Sequence, residues 1–217
     1  MRKRPQRCIN NFMENKFTAE NTRLEPFETK NLPLVVDVVV PLWSPPIGDA
    51  EFKRFNVEYI VRMNIFDNDQ NYQLVDASDG TLLSAAFMAK KGEQSKAEEW
   101  FAEASKKYPD NLKIASKMSY DYISLLDKKT LSLMNDDDIK LSLFVSRKPG
   151  CGALIFDRLY EKFRGEGYKN IYLYTDCDCN WQWYVKRGFT LVQEDVYEPF
   201  SDEHEDYKTY IFKKEIK

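Results

Sequence analysis

The sequence predicts an α/β domain of about seven strands with helices packed on them, and three observations carry that prediction. Leu141, Leu143 and Val145 recur at every second position, which is the period of a strand. A glycine-bearing turn follows, and then Leu154, Ile155, Leu159 and Phe163 recur at helical spacing up to Gly165 or Gly167. Upstream, two apolar runs from Tyr72 to Val75 and from Leu82 to Phe87 flank Asp79 and Gly80, a pair suited to the positive φ of a tight hairpin.

The remaining elements fall in order around these three. Thr22 to Phe27 reads as a short strand, and Asn31 as the cap of a helix with Pro33 in its first turn. That helix runs from Leu34 to about Trp43, where Ser44, Pro45, Pro46 and Gly48 stop it. Phe52, Phe55, Tyr59, Ile60 and Met63 mark a second helix to about Ile65. After the hairpin, Ser95 and Glu98 form a capping box, and Pro109 with Asp110 separates that helix from another reaching about Lys129. The pair, residues 92–129, reads as an insertion between strands. Beyond the glycine turn come a strand from Ile171 to Tyr174, a short helix from Asn180 to Lys186, and closing strands from Thr190 to Val196 and Tyr207 to Phe212. We expect one domain over residues 1–217, with 1–21 as an N-terminal tail.

Composition excludes several function classes. A net charge of −3 gives no global attraction to nucleic acid, which a binder must meet with clustered Lys and Arg. The one basic cluster, Arg2, Lys3, Arg4 and Arg7, is either a docking tail or a solvated terminus. No apolar run approaches the roughly 20 residues of a membrane span and no secretory signal opens the chain, so a cytoplasmic protein with no membrane partner is expected. Cys8, Cys151, Cys177 and Cys179 are then expected as free thiols, and two cysteines at 177 and 179 without a second pair fall short of a zinc set, so no metal is expected.

The informative segment is Arg147, Lys148, Pro149, Gly150, Cys151 and Gly152, which leaves a strand and enters a helix at Ala153. Unpaired N–H groups and the positive end of the helix dipole suit such a turn to a diphosphate, glycines allow close approach, and Arg147 and Lys148 add positive charge. The alternative is a tight connection with no ligand. The segment matches neither GxxxxGK[ST] nor GxGxxG.

An Arg or Gln, two residues, Gly, one residue, then Gly or Ala is the acyl-CoA pyrophosphate motif of the GNAT acetyltransferases, and Arg147, Gly150 and Gly152 resemble it. About thirty residues later, Asn180, Tyr184, Gly188 and Phe189 resemble that superfamily's second signature, and the run from Thr175 to Trp181 resembles a variant seen in its bacterial members. The order of elements along most of the chain is also similar. The connection between Val145 and Arg147 is shorter than the superfamily usually has, and residues 92–129 lie outside its minimal fold. The resemblance implies the GNAT fold, a mixed central sheet of about seven strands flanked by helices, with the extra helical insertion.

It also implies an activity: transfer of an acetyl group from acetyl-CoA to a primary amine by direct attack in a ternary complex. The alternative is a catalytically silent CoA-binding module of the same shape. By resemblance, the strands from Ile139 and Asn170 splay, the pantetheine enters between them, and a main-chain N–H near Phe144 or Val145 faces the acyl carbonyl. The turn from Arg147 through Ala153 then holds the diphosphate, and Asn180 bonds the cofactor amide or caps its helix. Tyr184, one turn beyond Asn180, is the expected general acid, since an ordinary phenol stays protonated at neutral pH; the plain alternative is a core aromatic. For the base, Asp136, Asp137, Asp138, Asp176 and His204 are candidates against a background of solvated charges. Cys151 stands at a helix start that favours a thiolate, or it is simply packed there. The acidic run Glu194, Asp195, Glu198, Asp202, Glu203, Glu205 and Asp206 either draws in a cationic acceptor or is only solvated. A small-molecule or peptide amine is the expected partner, with the chain a monomer or homodimer.

Overall fold

The computed structural model describes residues 17–217; Arg2, Lys3, Arg4, Arg7 and Cys8 lie outside them. The strands are β1 (Thr22–Pro26), β2 (Asn71–Asp76), β3 (Leu82–Ala89), β4 (Asp138–Ser146), β5 (Asn170–Asp176), β6 (Thr190–Val196) and β7 (Lys208–Glu215). They form one mixed sheet in the order β1-β2-β3-β4-β5-β7-β6. Only β4 and β5 run parallel; every other neighbour is antiparallel. The helices are α1 (Leu32–Trp43), α2 (Ala50–Met63), α3 (Ala97–Ala104), α4 (Asp110–Leu133), α5 (Cys151–Gly165) and α6 (Trp181–Lys186).

The layers follow from which side chains each strand presents. β3 is buried along its whole length, so both of its faces must be covered. Leu83, Ala86 and Met88 pack toward α5 through Cys151, Ile155, Phe156, Leu159 and Phe163. Leu82, Ala85 and Phe87 face α1 and α2, through Val35, Val36, Val39, Val57 and Val61. Helix α1 is rich in valine, a middling helix former, and is held by this burial rather than by propensity. On the α5 side, Arg158 reaches back and donates to the carbonyls of Ala19 and Thr22, clasping the start of β1.

Two expectations about local caps change. Ser95 does not cap α3, because its backbone is drawn into an isolated bridge with Phe66 and Lys96 takes the cap position. Asn31 does precede α1, but its side-chain amide donates to Gln73 Oε1 (2.9 Å) rather than capping. The inserted helices are also more than an appendage. α4 continues to Leu133, and buries Ile123 against Tyr59, Ile60 and Met63 of α2.

Under α4 lies a charge that no water reaches. Lys140 of β4 is fully buried and pairs with Asp127 of α4. The Phe66 ring lies 4.6 Å from its ammonium and the Tyr174 ring 5.7 Å. Burial pushes the Lys140 pKa down, and the Asp127 carboxylate opposes that push. Removing one partner of such a pair leaves an uncompensated charge. Asp127→Ala is therefore expected to lower unfolding free energy by about 3 kcal/mol, read from the midpoint of a urea titration.

Candidate functional site

β4 and β5 pair for only three residues, Asp138 with Asn170, Ile139 with Ile171 and Lys140 with Tyr172. Beyond Lys140 the two strands part, as the family resemblance implies. β5 continues its pairing with β7 on the far side as far as Asp176, and β4 continues with β3 as far as Ser146. The facing edges of β4 and β5 therefore have no strand between them among the described residues.

A bulge marks the fork. Phe87 stands opposite Leu143 and Met88 opposite Leu141, so Ser142 has no partner across the ladder. The effect is visible in the packing: Ile139 and Leu141 join the α5 side, whereas Leu143 and Val145 join the α1 and α2 side. An even alternation would have put all four on one face.

Main-chain direction along β4 can be read from its outgoing bonds. The Arg147 N–H donates to Leu83 O (2.8 Å), and the Val145 carbonyl accepts from Ser84 Oγ (2.6 Å), so both residues address β3. Alternation then turns the main-chain groups of Phe144 and Ser146 toward the gap. Of the two residues expected to offer an N–H there, Phe144 does so and Val145 does not.

At the open end of the gap, Gly150 takes φ of 80° and caps α5. The amides of the turn divide into two sets. Arg147 is bonded to Leu83, Cys151 to Lys148 O and Ala153 to Gly150 O. Lys148, Gly150 and Gly152 keep amides with no partner among the described residues, and Pro149 has none to offer. The Arg147 guanidinium, expected to add positive charge beside the turn, donates to Leu82 O (3.0 Å). Lys148 is exposed beside the turn. Gly152 also meets a packing constraint: a Cβ there would stand 3.2 Å from Phe144 Cζ and 3.5 Å from Ser146 Cβ, so it permits α5 to close on β4.

Helix α6 sits across from the turn. Its Trp183 ring contacts Phe144 (5.5 Å) and Phe156 (5.8 Å), and Tyr184 packs on Trp183 and Phe189. The Tyr184 hydroxyl makes no hydrogen bond among the described residues. Burial, with a smaller contribution from Cys179, holds its pKa well above the ordinary phenol value, so it carries its proton throughout the neutral range. Asn180 is exposed at the head of α6 and makes no capping bond.

The other candidates separate clearly. Asp136, Asp137 and Asp138 lie at the opposite end of β4 from the glycine turn, roughly 25 Å away at strand rise. Asp138 accepts from Asn135 N (2.8 Å) and Asn170 Nδ2 (2.6 Å), joining the two strand starts. Asp176 is buried at the end of β5 and accepts from the Tyr122 hydroxyl (2.9 Å) and from the amides of Asp178 and Cys179 (both 3.1 Å). It thus shapes the β5–α6 connection and ties it to α4. His204 is exposed in a turn closed by Asp202. Cys151 is fully buried, and burial raises its pKa despite Lys148. Cys179 is pushed up to about 12 by burial and then by Asp176, the opposite of what a metal-binding thiolate needs. In the acidic run, Asp195 pairs with Lys129 of α4 (2.9 Å) and Glu194 with Lys208 (2.7 Å). Tyr197 and Phe200 stack on Tyr122.

Comparison with known proteins agrees with this geometry. No protein-family model matches the chain, and no curated protein does. Among solved structures, a GCN5-related N-acetyltransferase from Kribbella flavida superposes with a TM-score of 0.52 at 13% identity, over 91% of this chain and 99% of the other. Arylalkylamine N-acetyltransferase 2 from Aedes aegypti gives 0.50 at 15% identity, over 91% and 100%. Ard1 from Thermoplasma volcanium gives 0.50 at 11% identity, over 91% and 99%. The chain therefore has the GNAT fold. That fold implies an acyl-CoA, and three features fit one: parted strands with open main-chain edges, a turn with three unbonded amides, and an exposed lysine beside it. The Arg147 guanidinium is bonded to Leu82 O.

Gly150→Ala is expected to cost about 1–2 kcal/mol, because its left-handed φ clashes with a Cβ. Gly152→Val is expected to cost about 1–3 kcal/mol through overpacking against Phe144. Chemical denaturation of both variants checks the pair.

Proposed function

We propose that this protein is an N-acyltransferase that moves an acetyl group from acetyl-CoA to a primary amine within a ternary complex. One observation carries the reading: β4 and β5 part after Lys140, and the gap between them opens at a glycine turn with unbonded amides. When bound, acetyl-CoA supplies the activated acyl group. The amides of Lys148, Gly150 and Gly152, with the Lys148 ammonium, bind its diphosphate. The edges of β4 and β5 hold the pantetheine as an added strand is held, with the Phe144 main chain directed into the gap.

Tyr184 is the proton donor in this reading. Its phenol is protonated at neutral pH, and its hydroxyl has no competing partner among the described residues. The acceptor approaches on the face that carries α1, α2 and α4, and α4 bridges α2 to the ends of β5 and β6. A primary amine is the acceptor class in this reading, and the name of the arylalkylamine-acetylating neighbour supports it. Asp176 is a structural residue in this scheme, since its carboxylate is already bonded.

The test is calorimetric titration with CoA and acetyl-CoA, followed by thiol release over an amine library. Saturable binding of both, with turnover on part of the library, is the expected result; binding without any thiol release would favour a silent CoA-binding module. Tyr184→Phe is expected to retain binding and to reduce turnover about a hundredfold or more. Because burial raises this phenol, its deprotonation should not produce an alkaline fall in wild-type turnover below about pH 10.

A further inference from the structure

A buried hydroxyl rarely lacks a partner in a native protein, and one that does calls for an explanation. Three buried side-chain atoms have no hydrogen bond among the described residues: Asn64 Oδ1, Asn71 Oδ1 and Ser142 Oγ. The two asparagines lie in the α2–β2 connection and at the start of β2, and each is held through its amide nitrogen, Asn64 to Ile60 O and Asn71 to Phe66 O. Ser142 differs, since its whole hydroxyl is unbonded. It also differs in place, because it is the bulged residue of β4, two positions past the last pairing with β5.

The bulge decides where this hydroxyl points. Lys140 faces α4 and Leu141 faces α5, so the pleat returns Ser142 to the α4 face. Leu143 lies on that same side with α1 and α2. Two successive residues therefore share one face, and the hydroxyl stands at the closed end of the gap on the side from which an acceptor must come.

Length relates this position to the ligand. From Ser142 to Ser146, where β4 ends, the strand rises about 13 Å, and the first unbonded amide of the turn, that of Lys148, comes two residues later. The thirteen bonds from the phosphorus of the pantetheine phosphate to its sulfur span roughly 16 Å when extended. A diphosphate on the glycine turn therefore brings the thioester to Ser142. Resting on the acyl-CoA reading above, we propose that the Ser142 hydroxyl donates a hydrogen bond to the acyl carbonyl oxygen, a side-chain contact additional to any from the β4 main chain. An aliphatic hydroxyl with no acceptor of its own is suited to that oxygen, and without the ligand it stays unsatisfied.

The proposal distinguishes acetyl-CoA from CoA, because only the former has the carbonyl. The experiment measures Kd for both by calorimetry in wild type, Ser142→Ala and Ser142→Thr, with thermal melting of each. The Ala variant is expected to bind acetyl-CoA about threefold to tenfold more weakly and CoA unchanged. The Thr variant, which keeps the hydroxyl, is expected to recover much of that loss. Equal weakening of both ligands, no weakening of either, or a Thr variant as weak as Ala would overturn the proposal. A wild type that binds CoA while the acetyl-specific effect is missing refutes the Ser142 contact alone. A wild type that binds neither refutes the acyl-CoA reading with it.

Discussion

The structure turns on one constraint: β4 and β5 must be joined at one end and separated at the other. The joined end is secured by Asp138, which accepts from Asn170 at the start of β5, and by Lys140, sealed under α4 with Asp127. The separated end is kept open because each strand pairs on its other side there, β4 with β3 around the bulge at Ser142 and β5 with β7. A fork built this way needs no ligand to hold it apart. It presents main-chain groups inside an otherwise well-packed protein, which is acceptable only where water or a ligand can satisfy them.

The inserted helix changes what the fork faces. α4 packs on α2 at one side, and at the other it reaches β5 through Tyr122 and β6 through Lys129. Burial and the Asp176 charge hold the Tyr122 phenol far above its ordinary pKa, so its donated bond persists at any physiological pH. Two carboxylates of the acidic run, Glu194 and Asp195, are paired with lysines. That face is thus shaped by aromatic packing of Tyr122, Tyr197 and Phe200 as well as by charge.

Much of this was legible in the sequence because it is local. Strand period, the glycine turn and helix spacing each depend on a few neighbouring residues, and all seven strands and the main helices were found near their places. The fork's details were not legible, because they depend on distant partners. Ile139, Leu141, Leu143 and Val145 read as one unbroken alternation, yet a bulge at Ser142 sends the last two to the other face. No local pattern marks Lys140 as buried, since its partner Asp127 stands thirteen residues upstream on a helix. The roles of Arg147 and Val145 were likewise set by β3, whose partner positions no local motif announces.

The clasp that Arg158 places on Ala19 and Thr22 spans 139 and 136 positions of chain. During synthesis, therefore, the opening of the first edge strand stays unfastened until Arg158, 136 positions beyond Thr22, has been made. Contacts of such long range form late and slow the search for the native state. A nascent chain halted before α5 would expose the α5-facing side of β3 and an unclasped β1, a state with the sticky edge that invites association.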